Sequence, residues 1–539
     1  MLFRSNPKFD NGMMGRLLGS KTVIRGSYGM NYYDEGLNSF SNRVSGDPGT
    51  TQSISIQPGI AFSPGGLSLS SPVPAPVVNP PAFAFPLSQR LFTFVSGLAT
   101  SKPEMHTPYV QNWNLSIQRE VGRGMVVEAR YVGNKSTHIW HAYSLNETNI
   151  FESGFLQDFK NAERNRQINV AAGVTSFQNR NLPGQVALPL FEAAFGALGS
   201  QPALASGSGF TSSTFLSNLQ LGNAGTLANT LATSNIYYCR LVGNNFKPCA
   251  DLGYSAAGRY PINLFRPNPF VTGLTLLDDN SYSTYHGLQL EFRKAYSHGL
   301  TLQANYTWSK ALGDLFNLTS QDANLDYRTQ RNRGLNKAPS AFDLRHVALS
   351  YWTYDLPFGK GRRFLKASGW LDRVVGGWQL SGLHRFNSGQ VYSLTGSRNT
   401  FNNLADSGVI LTGITVSELQ GKLRSFRPGP TRNAAADASL TGADGRANAS
   451  LLRVPSTPGE FGQFVYLYDT PLVINDFALL KTVPITERVK FSFQVEAINT
   501  FNHPVLGVGT TNIDSTAFGQ TTSVRVGARN LQIRARLDW

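Results

Sequence analysis

Alternation with a period of two, repeated along most of the chain, restricts its fold more than any other feature. Over the last nine residues Leu531, Ile533, Ala535, Leu537 and Trp539 alternate with Gln532, Arg534, Arg536 and Asp538. Successive side chains of a strand point to opposite faces, so this segment has one apolar face and one charged face. A slip of one residue would exchange the faces and place both arginines and the aspartate on the apolar side.

The same code recurs upstream. Val489, Phe491, Phe493, Val495 and Ala497 alternate with Lys490, Ser492, Gln494 and Glu496, and Leu288, Leu290 and Phe292 alternate with Gln289, Glu291 and Arg293. After Ser297-His298-Gly299, the set Leu300, Leu302, Ala304, Tyr306 and Trp308 faces away from Thr301, Gln303, Asn305, Thr307 and Ser309. Trp113, Leu115 and Ile117, then Met125, Val127, Ala129 and Tyr131 (against Glu128 and Arg130), then Ile24, Tyr28, Met30 and Tyr32 repeat it. Weaker versions run through Val347, Leu349 and Tyr351, through Trp378 and Leu380, and through Phe477 and Leu479. That predicts about ten strands, several near the 9–11 residues that a tilted strand needs to cross a bilayer.

A soluble sandwich also alternates, so the connections decide. They run long, short, long, short: Tyr32 to Tyr109, then Arg119 to Gly124; Tyr131 to Tyr285, then Ser297-His298-Gly299; and, towards the end, a long span before the turn Val483-Pro484-Ile485-Thr486-Glu487. Short turns at one end and long loops at the other describe an outer-membrane barrel. Tyr28, Tyr32, Trp113, Tyr131, Tyr306, Trp308, Tyr351, Trp378 and Trp539 fall near strand ends, where interfacial aromatic girdles form. A slightly negative mean hydropathy of −0.20 fits too, because the two faces cancel. The fold class is therefore all-β, an antiparallel transmembrane β-barrel, with about ten of its strands present.

Placing the short turns in the periplasm makes the long connections extracellular, at about 33–108, 133–284, 310–345, 389–470 and 502–527, with residues 1–20 ending an earlier hairpin. The Pro-rich span Gln57 to Pro86 reads as extended loop and Asn433 to Ser450 as a mobile one. Asn149 to Asn280 is expected to carry short helices near Gly154 to Asn165 and Leu190 to Leu198, and is too irregular for an independent domain. No apolar run of the length a membrane helix needs is present, and the residues after Met1 hold no signal-peptide core, so a truncated chain is expected.

The net charge of +15 comes from scattered Lys and Arg without a nucleic-acid motif, so no nucleic-acid partner is expected. Cys239 and Cys249 are the only cysteines; a pair closing a short loop suits an oxidising compartment, with two free thiols as the alternative.

Several blocks resemble Oar-like TonB-dependent transporters of the acidobacterial type. They are Pro108 to Glu120 with Tyr131-Val132-Gly133-Asn134-Lys135, Lys21 to Gly26, Ala341 to His346, Gly377 to Gly382 and Glu496 to Pro504. The resemblance implies a barrel of 22 strands, an N-terminal plug and a TonB box, with residues 21–539 matching the last half of the barrel. It also implies energy-coupled uptake of a bulky ligand across the outer membrane of a Gram-negative bacterium, with TonB engaged through the plug. Leu531, Ile533, Ala535, Leu537 and Trp539 resemble the terminal signal read by the barrel-assembly machinery.

Residues expected to line the interior are Glu128, Arg130, Glu291, Arg293, Gln303, Asn305, Gln494, Glu496, Arg534 and Arg536. In a complete transporter they would touch the plug and the passing ligand; the plainer reading is that they satisfy one another across strands. No GxSxG, HExxH or P-loop is present, and His346, His384 and His503 lie apart, so neither an enzyme nor a cofactor is expected. Asp278-Asp279-Asn280 and the span Asp322 to Asp326 read as solvated loop acids, with calcium as the competing use. A passive porin-like or structural barrel, a secreted adhesin and a non-functional gene fragment are the alternatives to uptake.

Overall fold

The computed structural model describes residues 2–5, 21–33, 97–122, 124–196, 204–205, 207–314, 328–366, 369–423, 433–434 and 436–539. The Pro-rich span Gln57 to Pro86, the span Asp322 to Asp326 and most of residues 1–20 lie outside them. Among the described residues one sheet of 13 strands dominates; two strands lie off its main path, leaving eleven that follow chain order. These are β1 (Leu2–Ser5), β2 (Thr22–Tyr32), β3 (Tyr109–Gly122), β4 (Met125–Ser144), β5 (Gly273–Ser297) and β6 (Leu300–Gly313), then β7 (His346–Asp355), β8 (Trp378–Asn387), β9 (Leu472–Pro484), β10 (Lys490–Ile498) and β11 (Asn530–Asp538). Each is antiparallel to the next. Off the path, Gly97–Ser101 runs parallel to β5 and Ala338–Pro339 antiparallel to β6.

The register sorts the side chains as alternation requires. Tyr131, Leu288 and Trp308 stand in one row across β4, β5 and β6, and Leu479, Val495 and Ile533 in another across β9, β10 and β11. Leu115, Ile117, Tyr131, Leu290, Trp308, Leu479, Phe491 and Ile533 are 36–72% exposed, whereas Glu128 on the opposite face is 5% exposed. The sheet thus turns its apolar face outward, the reverse of a water-soluble protein.

One strand departs from expectation. Val347, Leu349 and Tyr351 pair with Thr307, Asn305 and Gln303, so they belong to the polar face, and Tyr351 is not in the outer aromatic set. The outward residues of β7 are Ala348, Ser350, Trp352 and Tyr354, opposite Tyr306, Ala304, Leu302 and Leu300. Neighbouring strands set the parity here, because β7 itself has little contrast between its two rows.

Short connections after β3, β5 and β9 gather at one end of the sheet, and the described residues of the long connections after β4, β6, β8 and β10 fold into a cap at the other. Between β4 and β5 the described residues form six α-helices: α1 (Phe155–Ala171), α2 (Pro189–Phe195), α3 (Ser213–Gln220), α4 (Ala224–Thr233), α5 (Asn235–Val242) and α6 (Lys247–Asp251). Far from being too irregular for a folded unit, this insert has its own core, with Phe155, Phe159, Phe177, Phe191, Phe215 and Phe265 at most 1% exposed. On α1, Phe155, Phe159 and Ala162 are buried at helical spacing, and Asn165 and Asn169 extend the stripe by bonding loop carbonyls at Val186 and Ser176. Cys239 on α5 and Cys249 on α6 are joined by a disulfide inside this core.

A second core lies among the connections after β8 and β10. It includes Leu394, Val409, Leu419, Leu440, Leu452 and Phe518. Leu440 is fully buried there and Asn433–Ala434 pairs with Gln520–Thr521, so the segment expected to be mobile is part of a packed unit. Among the described residues no helix is long and apolar enough to cross a membrane.

Candidate functional site

The polar face of the sheet is built from local pairs. On β4 and β5, Arg130 bonds Glu128 at 2.6 Å, Arg293 Nη2 bonds Glu291 Oε2 at 2.9 Å, and Gln303 Nε2 on β6 donates to Glu291 Oε1 at 2.8 Å. Tyr351 donates to Gln303, and Asn305 stands between Glu291 and Leu349 in register. Across β10 and β11, Arg534 bonds Gln494, Glu496 faces Gln532, and Arg536 bonds Asp538 at 2.6 Å. The ten interior candidates therefore form two groups, one on β4–β6 and one on β10–β11.

Residues missed in the sequence bridge the gap between the groups. Arg385 on β8 pairs with buried Asp476 on β9 at 2.9 Å, and Gln379 donates to Asp355 at 2.9 Å. Counting outward from Trp378 and Leu380 by twos would have assigned Gln379 and Arg385 to this face.

Above the sheet, the helical insert is fastened to the other connections by hydrogen bonds. The Glu147 carboxylate accepts from Thr329 Oγ1 at 2.8 Å, from the Gln330 N–H at 2.6 Å and from Asn402 Nδ2 at 2.7 Å. Asn403 Oδ1 accepts from the Thr148 N–H at 2.8 Å, and Arg331 closes on Glu152. Arg328 lies over the Phe464 ring at 3.2 Å. Within the insert, Asp158 accepts from the Leu190 and Phe191 N–H groups at the start of α2, yet burial pushes its carboxyl up to about 6.

Asp278 and Asp279, read from sequence as solvated acids, are buried instead. They lie where β4 and β5 continue past the ends of β2 and β6. A strap leaves Gly97–Ser101 beyond β5 and returns to Tyr109 at the head of β3, and Asp279 pins it. Lys102 Nζ bonds Asp279 Oδ1 at 2.7 Å, while the His106 N–H and His106 Nδ1 reach Oδ2 at 2.7 and 2.6 Å. Burial alone would raise this carboxyl; the Lys102 and His106 bonds outweigh it and hold Asp279 well below the usual carboxylate range. An ammonium already occupies Oδ1, which makes this a poor calcium cage, since calcium wants six or more oxygens. His346 and His384 sit on the outer face, bonded to Tyr306 at 2.8 Å and to Trp352 and Asn475 at 2.9 and 2.8 Å, and His503 lies in the connection after β10.

Comparison with known proteins gives one family and several distant structural likenesses. A family model described as an outer membrane beta barrel domain matches residues 14–532. No curated protein matches the chain. Among solved structures, the outer membrane transporter YddB from Escherichia coli is similar over 97% of this chain and 39% of its own, at 9% identity and a TM-score of 0.38. The ferric enterobactin receptor PfeA from Pseudomonas aeruginosa is similar over 97% of this chain and 38% of its own, at 8% identity and a TM-score of 0.33. For the pyoverdine receptor FpvA of Pseudomonas aeruginosa PAO1 the shares are 97% and 34%, at 10% identity and a TM-score of 0.32. The chain spans less than two fifths of the length of each.

Proposed function

The chain belongs to the outer membrane beta barrel domain family, and from that premise we propose that it is the barrel portion of a TonB-dependent receptor that takes a bulky ligand across the membrane. Its place is the outer membrane of a Gram-negative bacterium. The observation that carries the reading is the inverted polarity of an up-and-down sheet, eleven strands among the described residues, whose described long connections gather at one end. Apolar side chains face lipid, charged pairs face the interior, and a cap with two cores stands where a ligand would arrive.

The sheet edges support a larger barrel. Among the described residues β1 and β11 each have one strand neighbour, and Leu531 and Ile533 on β11 are 62% and 72% exposed. In lipid every unpaired backbone group costs several kcal/mol, so both edges call for further strands. We assign those strands, the plug and the TonB box to polypeptide outside residues 21–539, in the manner of the Oar-like type. Chemistry other than transport has no part in this reading.

Two measurements test it together. The DNA 5′ of the Met1 codon is expected to encode a plug and a TonB box, and planar bilayers holding the protein are expected to show no steady open-pore conductance. Upstream DNA without either element, combined with a stable ohmic conductance, would assign a passive porin instead.

A further inference from the structure

We propose that His106, His138 and Asp279 form a binding site for one divalent transition ion of the zinc class at the extracellular end of the β4–β5 ribbon. The site stands independently of the transport reading.

Three distances define it. Asp279 Oδ2 lies 2.6 Å from His106 Nδ1 and 3.8 Å from His138 Nδ1, and one donor atom from each residue lies within 4.8 Å of the others. In a tetrahedral site with bonds of about 2.0–2.2 Å, donor atoms stand roughly 3.3 Å apart. The two observed separations bracket that value. An ion entering here takes the place of the His106 Nδ1–Asp279 Oδ2 contact and of the His138 Nδ1 bond to the Asp279 carbonyl at 3.2 Å, with any Nδ1 proton passing to the other ring nitrogen; the His106 ring moves out by a fraction of an ångström and the His138 ring moves in by a similar amount. The donor set, two imidazoles and a carboxylate, is that of a borderline ion rather than calcium or magnesium.

Support around the donors is already in place. Lys102 Nζ holds Asp279 Oδ1 at 2.7 Å, which fixes the carboxylate so that Oδ2 faces the rings, as outer bonds do for ligating carboxylates elsewhere. The two rings stack with centroids 4.6 Å apart, and the Trp140 indole N–H holds the His106 carbonyl at 2.8 Å. The backbone supplies a further observation. His138 sits at φ 59°, inside a register break between Ser136 and Ile139 of β4. A non-glycine residue is uncommon in the left-handed region, although histidine enters it more readily than most, and bulges that re-aim a residue concentrate at functional sites. Without the bulge the ladder would carry residue 138 on in simple alternation. With it, the ring stands against the strap. The His106 side chain is 63% exposed, so a fourth coordination position opens to solvent and admits water or a donor atom of an arriving ligand.

Isothermal titration of the full chain in detergent with zinc chloride, repeated with nickel chloride, tests the site. One ion per chain is expected, with His106→Ala and His138→Ala each weakening binding at least ten-fold and Asp279→Asn weakening it by about 10–100-fold. Each variant is first checked for the heat-modifiable gel mobility of the folded barrel. Where a variant fails that check, the unaltered protein serves: zinc should protect His106 and His138 from carbethoxylation by diethyl pyrocarbonate, mapped by mass spectrometry. Absence of binding at millimolar zinc, affinity unchanged in the folded variants, or equal modification of both histidines with and without zinc would overturn the proposal. The cluster would then be only a clasp that holds the strap down.

Discussion

Trp113 stands directly opposite Gly133 on the neighbouring strand, and Trp352 directly opposite Gly382. In both pairs the indole lies across the glycine. A Cβ on Gly382 would come within 2.7–2.8 Å of the Trp352 ring, and one on Gly133 would run into the Trp113 ring. The missing side chain lets the ring lie flat and cover backbone that lipid cannot solvate. Gly133→Ala or Gly382→Ala therefore displaces an indole, at a cost of about 1–3 kcal/mol; at Gly382 it also breaks the Trp352–His384 bond. Urea unfolding in detergent should show a lowered midpoint, and an unchanged one would mean the rings have other room. Asp158 makes a second residue-scale case. Its carboxyl is raised in the folded insert to about 6 from an unfolded value near 3.9, so the protonated form favours folding. That stabilisation is complete below about pH 4 and is lost as pH rises through about 6. Asp158→Asn keeps an acceptor for the Leu190 N–H but cannot ionise. It should remove this slope, worth about 1–2 kcal/mol, from the unfolding of the insert between pH 4 and 7. An equal slope in the variant would assign the dependence to another group.

At the scale of elements, legibility followed contrast. β10 and β11 alternate large apolar with charged residues, so their faces could be read from the sequence alone, and the structure places Gln494, Glu496, Arg534 and Arg536 together. β7 offers Val347, Leu349 and Tyr351 on one side and Ala348, Ser350, Trp352 and Tyr354 on the other, so either side passes for the apolar one. Only its register against β6 decides. Arginine substitution checks the assignment: Ser350→Arg, facing lipid, should cost about 2–4 kcal/mol, and Leu349→Arg, facing the interior, far less. Equal costs would return β7 to the opposite parity. The helical insert was legible only in part: α1 and α2 lie where helices are expected, near Gly154 to Asn165 and Leu190 to Leu198, whereas α3 to α6 were not read. Helices α3 to α5 are only 8–10 residues long, and their N-cap residues Ser212, Asn223 and Ser234 make no side-chain cap bond, so each offers too few turns for a clear 3.6-residue period. The metal-type cluster was hidden too, since His106, His138 and Asp279 meet only through the crossing of the strap and the bulge in β4.

For the whole molecule, the question is how a lipid-facing sheet and a water-facing cap share one chain without either fixing the other's stability. The sheet is stabilised by backbone ladders and an outward apolar face. The insert has a separate phenylalanine-rich core and a disulfide, and it meets the neighbouring connections through a seam of hydrogen bonds centred on Glu147. The seam also holds an aromatic contact, Phe151 on Phe401 with ring centroids 4.9 Å apart, but the insert keeps a core of its own, so the insert and the sheet should lose structure in separate steps. Two perturbations distinguish this from a single cooperative unit. Replacing Cys239 and Cys249 by serine should destabilise the insert by about 2–3 kcal/mol, and Glu147→Ala should unhook it by leaving its three donors unpaired. In both variants limited proteolysis should cut within residues 145–272 sooner, while the heat-modifiable mobility of the barrel keeps its midpoint. If that midpoint falls along with the insert, cap and sheet are one cooperative structure, and any perturbation of the cap would be felt directly in the barrel wall.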